Sequence, residues 1–194
     1  MKRVFRWMTA GLGLAALLSS GCILTSAQIL THFDLLNPFH IDASDSFERV
    51  AVDLAVDVGD DYTDNVDKLQ GLADVAILGT FTNTVAGTPA GQVTIYITPG
   101  NTTYANGAQV TSANDAVLLW GPAQIGAAGT PEGTVTLTWD GSAALFNPDG
   151  KQILVDETKG DGQFTLYCVG TAFAPGYDIE VKDGKVVLVF DAGL

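Results

Sequence analysis

From Arg49 to Val58 the chain alternates. Val50, Val52, Leu54, Val56 and Val58 fall on one side, and Ala51, Asp53, Ala55 and Asp57 on the other. A period of two predicts a strand with one face in a core and one in water. Further runs rich in Val, Ile, Thr and aromatic residues follow at 75–83, 92–98, 116–120, 133–140 and 164–171, and each reads as a strand. Trp139 keeps register with Val135 and Leu137, which predicts a core position. Cys168 shares a side with Phe164 and Leu166, which predicts a small buried hydrophobe.

The stretches between these runs have loop chemistry. Residues 85–91, 99–102 and 126–131 are rich in Gly, Pro, Thr and Asn, the residues that turns select. Residues 66–72 predict a short helical turn. Residues 142–146 and 151–157 predict short helices, with Asn147-Pro-Asp-Gly150 as the turn between them. Near the end, Tyr177–Lys182 and Lys185–Phe190 flank Asp183-Gly184, a pair suited to a type I′ hairpin. Seven or eight short strands with little helix predict one antiparallel β-sandwich, Ig-like or jelly-roll in type. One or two short helices accompany it, and a signal-peptide helix precedes it.

Composition narrows the picture. The 194 residues include 47% hydrophobic and 16% charged residues, enough apolar material for one core. The formal net charge is −13, and Lys2, Arg3 and Arg6 all precede the first acid, Asp34. Without residues 1–21, six basic residues face 22 acidic ones, a formal −16. That surface repels phosphate backbones, so nucleic acid is excluded as a partner. It repels anionic headgroups too, so a basic patch cannot supply membrane attachment.

The first residues carry an address. Met1–Arg6 is basic, Trp7–Leu18 is apolar, and Ser19, Ser20 and Gly21 lead to Cys22. This is the layout of a secretory signal peptide, and the apolar run is shorter than the ~20 residues a membrane span needs. Leu-Leu-Ser-Ser-Gly-Cys at 17–22 resembles the lipobox of bacterial lipoproteins. The resemblance implies diacylglyceryl attachment at Cys22 and cleavage before it. Ser19 stands where that family usually has Leu, with Leu18 one place earlier. Ile23 is not the Asp that commonly retains lipoproteins on an inner membrane, which implies the outer membrane of a Gram-negative bacterium. The reading of the chain is then 1–21 signal peptide, 22–46 lipidated tether and linker, and 47–194 sandwich. Residues 64–69, 73–78 and 162–167 also resemble uncharacterised β-rich bacterial envelope proteins, a set that implies no activity.

Candidate chemistry is sparse. Asp57, Asp60, Asp61 and Asp64, with Asp67 close behind, form an acidic loop. Clustered carboxylates are calcium ligands, although the spacing is not that of an EF-hand; a solvated acidic turn is the alternative. Lipid on Cys22 leaves Cys168 without a disulfide partner. His32 and His40 fall in the expected tether, away from any candidate nucleophile, and two His with one spare Cys have no zinc-ligand spacing. Trp120, Trp139, Tyr96, Tyr104, Tyr167 and Tyr177 are candidate sugar platforms or core residues. No catalytic residue and no cofactor beyond possible calcium are assigned. The expectation is a lipid-anchored, non-enzymatic binding or structural module of the cell envelope with a protein or glycan partner. The alternatives are an anchored hydrolase acting on glycan or protein, and a calcium-dependent adhesion module.

Overall fold

A computed structural model describes residues 26–35, 38–42, 47–173 and 175–193. Nine strands are β1 (Ser26–Asp34), β2 (Phe39–Asp42), β3 (Phe47–Asp53), β4 (Leu69–Asn83), β5 (Gly91–Pro99), β6 (Val117–Ile125), β7 (Thr134–Leu137), β8 (Gln163–Thr171) and β9 (Asp178–Gly193). Five short helices are α1 (Leu54–Asp57), α2 (Asp60–Thr63), α3 (Gly107–Ser112), α4 (Trp139–Ala143) and α5 (Pro148–Lys159). The strands form two antiparallel sheets packed face to face. One runs β1-β9-β4-β7, with β2 also on β9; the other runs β3-β8-β5-β6.

This order decides between the two expected topologies. The pairs β1–β9, β3–β8, β4–β7 and β5–β6 are each antiparallel. The chain changes sheet after β2, β3, β4, β6, β7 and β8. Four wrapped pairs closed by β4–β9 and β5–β8 make a jelly roll of two Greek keys. The core between the sheets holds Val75, Ile77 and Phe81 of β4, Val93, Ile95 and Ile97 of β5, and Ile179, Val181, Val186 and Leu188 of β9. Cys168 lies in that core beside Phe164 and Leu166, as their shared side predicts. Tyr167 and Val169 point the other way, under the segment 100–116, where they pack with Val110, Phe47 and Tyr104.

Several expectations change. The segment read as a linker contributes β1 and β2, with Phe33, Leu35, Phe39 and Ile41 all buried in the core. The sandwich therefore begins by Ser26 rather than at residue 47; residues 43–46 lie outside the described residues. Second, the strand at Arg49 stops at Asp53, whose carboxylate caps α1 by accepting from the Ala55 amide at 3.1 Å. Val56, expected inside, is 77% exposed as a result. Third, Trp139 is not in the core. It starts α4, half-buried, with its indole N–H donating to Asp74 Oδ2 at 2.8 Å. Pro148 likewise opens α5 behind an Asn147 cap, so residues 147–150 start a helix instead of forming a turn.

A further change concerns Asp183-Gly184. It does not reverse the chain: β9 runs through it, pairing with β2 on one side of it, β1 on the other and β4 throughout. A type I′ turn needs positive φ at both central residues, and here only Asp183 has it, at 53°. The pair instead faces the single residue Gly79, between Leu78↔Lys185 and Thr80↔Lys182. That two-against-one arrangement is a β-bulge. Asp and Asn tolerate the left-handed region and β-branched residues do not. Asp183→Val is therefore expected to cost about 1–2 kcal/mol more than Asp183→Asn, read from urea unfolding midpoints.

Candidate functional site at the acidic end

The jelly roll sorts its connections to two ends. The links after β3, β5 and β7 lie at one end, and those after β4, β6 and β8 at the other. Residues 53–68, 100–116 and 138–162 form the first end and carry twelve Asp and Glu against three Lys. At the far end, the described residues of 84–90, 126–133 and 172–177 carry Glu132 alone, and Asp42 and Glu48 flank the β2–β3 corner.

A groove of about 220 Å³ lies at the acidic end, on the outer side of the four-stranded sheet. Ala51, Asp53, Val56, Asp57, Asn101 and Gln163 are among the residues that line it. Local rules set its walls. Asp53 caps α1, and Asp57 Oδ2 accepts in return from the Asp53 amide at 2.9 Å. This reciprocal pairing resembles a capping box and fixes both carboxylates against the helix. Gln163 Nε2 donates to Asp53 Oδ2 at 3.3 Å. On the opposite wall Arg49 donates through Nη2 to Asn101 Oδ1 and through Nε to the Thr102 carbonyl. The Tyr167 hydroxyl donates to that same carbonyl, and Thr165 Oγ1 donates to the Gly100 carbonyl at 2.8 Å. Carboxylates and primary amides in a small groove suit hydroxyl-rich or cationic ligands. A second groove, of about 450 Å³, lies between α4 and α5 over Leu72, Phe146, Lys151 and Val155.

The acidic loop is anchored beneath by Tyr62, which is buried and donates to the Thr158 carbonyl at 2.8 Å. Burial, then Asp161 and Asp53, raise its pKa. Glu157 is raised for similar reasons: burial first, then Asp161 and Asp156. A carboxyl with a raised folded pKa disfavours its charged form. Its cost to stability is absent below the unfolded value near 4.3 and complete above the folded one. Glu157→Gln should therefore raise Tm slightly at pH 7, the stability gain lying within about 0.5 kcal/mol. The gain should vanish at pH 4, and melting curves at both pH values test this.

The candidate residues are dispersed. Asp57 is engaged in the α1 cap, Asp60 and Asp61 lie in the first turn of α2, and Asp64 caps its end. Among the described residues no three His, Cys, Asp or Glu side chains gather as a metal would require. Cys168 is fully buried, and burial followed by the charge of Glu48 pushes its thiol up to about 12, so it stays protonated. His32 lies on β1 and His40 on β2, neither in the groove. Of the aromatic candidates, Trp120, Tyr167 and Tyr177 are buried, while Tyr96, Tyr104 and Trp139 are half-buried. Cys22 lies outside the described residues.

Sequence reading missed two arrangements. His40 Nδ1 and Asp178 Oδ1 are 2.8 Å apart, and Thr84 Oγ1 donates to Asp178 Oδ2 at 2.7 Å. The Arg49 clamp was also invisible. Both join residues from distant parts of the chain, so neither leaves a local pattern.

The fold and the groove thus define a single jelly-roll sandwich with a helix-capped acidic end. No protein-family model matches the chain, and no curated protein matches it in sequence. A solved structure of turnip yellow mosaic virus at 100 K is similar over 87% of this chain and 92% of that one, at 12% identity and a TM-score of 0.37. A second structure of turnip yellow mosaic virus gives 12% identity, a TM-score of 0.38, and coverage of 87% and 80%.

Proposed function

We propose that the protein is a lipid-anchored module of the cell envelope that binds or organises a protein or glycan partner and does not catalyse. Lipid on Cys22 holds it to a membrane, the outer membrane in a Gram-negative host. The observation that carries this reading is the position of β1. The first strand begins at Ser26, four residues beyond Cys22. Cleavage before Cys22 would leave all nine described strands in place. Two or more acyl chains anchor a protein stably where one gives only marginal binding, so lipid suffices without a basic patch. A protonated, buried Cys168 and histidines placed away from the groove favour binding over catalysis.

The test is Cys22→Ala in the full chain. Loss of membrane association on cell fractionation, with loss of the lipid mass on Cys22, is the expected result. Unchanged association and an unshifted mass would refute the anchor.

A further inference from the structure

Where the chain enters the sandwich decides which end meets the membrane. Ser26 pairs with Gly193, and Leu69 pairs with Ala192 on the other side of β9. Leu69 is the residue that leaves the acidic loop to begin β4. The start of β1 therefore sits at the acidic end, beside the helical segment 54–68. Three residues, Ile23 to Thr25, separate it from Cys22, and the four steps from Cys22 to Ser26 reach at most about 14 Å when extended. From there β4 runs 15 residues to the far end, about 45 Å at the rise of a twisted strand.

The far end has its own construction. Residues 86–89 and 128–131 both read Ala-Gly-Thr-Pro. Gly87 has φ 84° and Gly129 φ 81°, the positive angle that a type II turn requires at its third residue. Thr88 donates its amide and hydroxyl to the Val85 carbonyl, and Thr130 does the same to that of Ala127. The Ala128 amide donates to the Thr88 carbonyl, joining the two turns into one surface.

On the reading that Cys22 is lipidated, we propose that the acidic end faces the lipid headgroups and the paired Ala-Gly-Thr-Pro turns are displayed away from the membrane. The tether is too short to invert the domain: 14 Å of chain cannot carry the far end past a 45 Å sandwich. Charge opposes this approach, so the orientation rests on the shortness of the tether. Nine net negative charges in the connections of the acidic end stand within one to two Debye lengths, about 8–16 Å, of the bilayer at physiological salt. Anionic headgroups repel them, and salt screens that repulsion.

Full-length lipoprotein reconstituted into vesicles tests this. Single cysteines replace Asp61 on α2 and Ala86 in the first turn, both exposed positions, and carry a fluorophore; fully buried Cys168 stays unlabelled. Vesicles contain a lipid with a quencher on its headgroup. The expected result is severalfold stronger quenching at position 61 than at 86. In anionic vesicles, raising salt should increase quenching at 61 as repulsion is screened. Protein that floats with the vesicles but is quenched equally at both positions, or more at 86, overturns the orientation and leaves the anchor standing. Protein that does not float overturns the anchor and the orientation with it.

Discussion

Trp120→Ala should lower the unfolding free energy by about 3–5 kcal/mol, the cost of deleting a buried aromatic side chain. At roughly 2–4 °C per kcal/mol for a chain of this size, Tm falls by about 6–20 °C. Among the described residues Trp120 is the largest fully buried side chain, and it stacks on Phe81 with ring centroids 6.2 Å apart. Its indole N–H donates to the carbonyl and hydroxyl of Ser142, at 3.0 and 3.1 Å. That hydroxyl also accepts the amide of Ile77 at 2.7 Å. The ring thus joins β6, β4 and α4 through packing and a satisfied buried polar network, and its removal weakens both. Trp120→Phe separates the two terms. It keeps an aromatic ring and loses the N–H, so it should cost clearly less than alanine. Urea unfolding of the two variants makes the comparison, and equal losses would show that packing contributes little.

Gly150→Ala is expected to destabilise by about 1–3 kcal/mol, the range of overpacking. The sign is the informative part. Within a helix, Gly→Ala ordinarily gains about 0.5–1 kcal/mol. Gly150 lies in the first turn of α5, buried against β6. A Cβ there would stand 2.4 Å from the Leu118 carbonyl oxygen and 2.5 Å from the Leu119 Cα, both backbone atoms of a core-facing strand. The helix cannot step aside easily, because the Asn147 amide donates to the Leu119 carbonyl at 2.9 Å. Thermal melting decides it: a rise in Tm would mean that α5 moves off the sheet at little cost.

Much of the sandwich was legible from period and turn chemistry. The runs at 92–98 and 164–171 became β5 and β8 with one-residue shifts, whereas 75–83 is the second part of a longer β4 that starts at Leu69, so of the helical turn expected at 66–72 only 66–68 is helical. What failed did so for identifiable reasons. Residues 26–42 lack a long clean alternation and sit beside a targeting segment, so they read as linker; their place in the sheet comes from β9, 150 residues away in sequence. Asp183-Gly184 has the composition of a hairpin turn. The chain runs straight because β4 is long enough to pair with both halves of β9 at once. The groove was half visible. Asp57 belongs to the acidic stretch noted in the sequence and Asp53 to the polar side of the alternating run, but Asn101 and Gln163 come beside them only because β8 pairs with both β3 and β5.

The sequence by itself determined the class of fold, the buried side of most strands and the strong excess of acid. These follow from local alternation, residue type and count, which need no partner to be read. It also holds the signal-like segment and Cys22, on which the expectation of an anchor rests. Tertiary structure alone decided the jelly-roll order, the bulge in β9, the inclusion of β1 and β2, and the gathering of most acidic connections at the end where β1 begins. Each of these depends on which distant strands bury each other's apolar faces, and that pairing energy is absent from any local window of the chain.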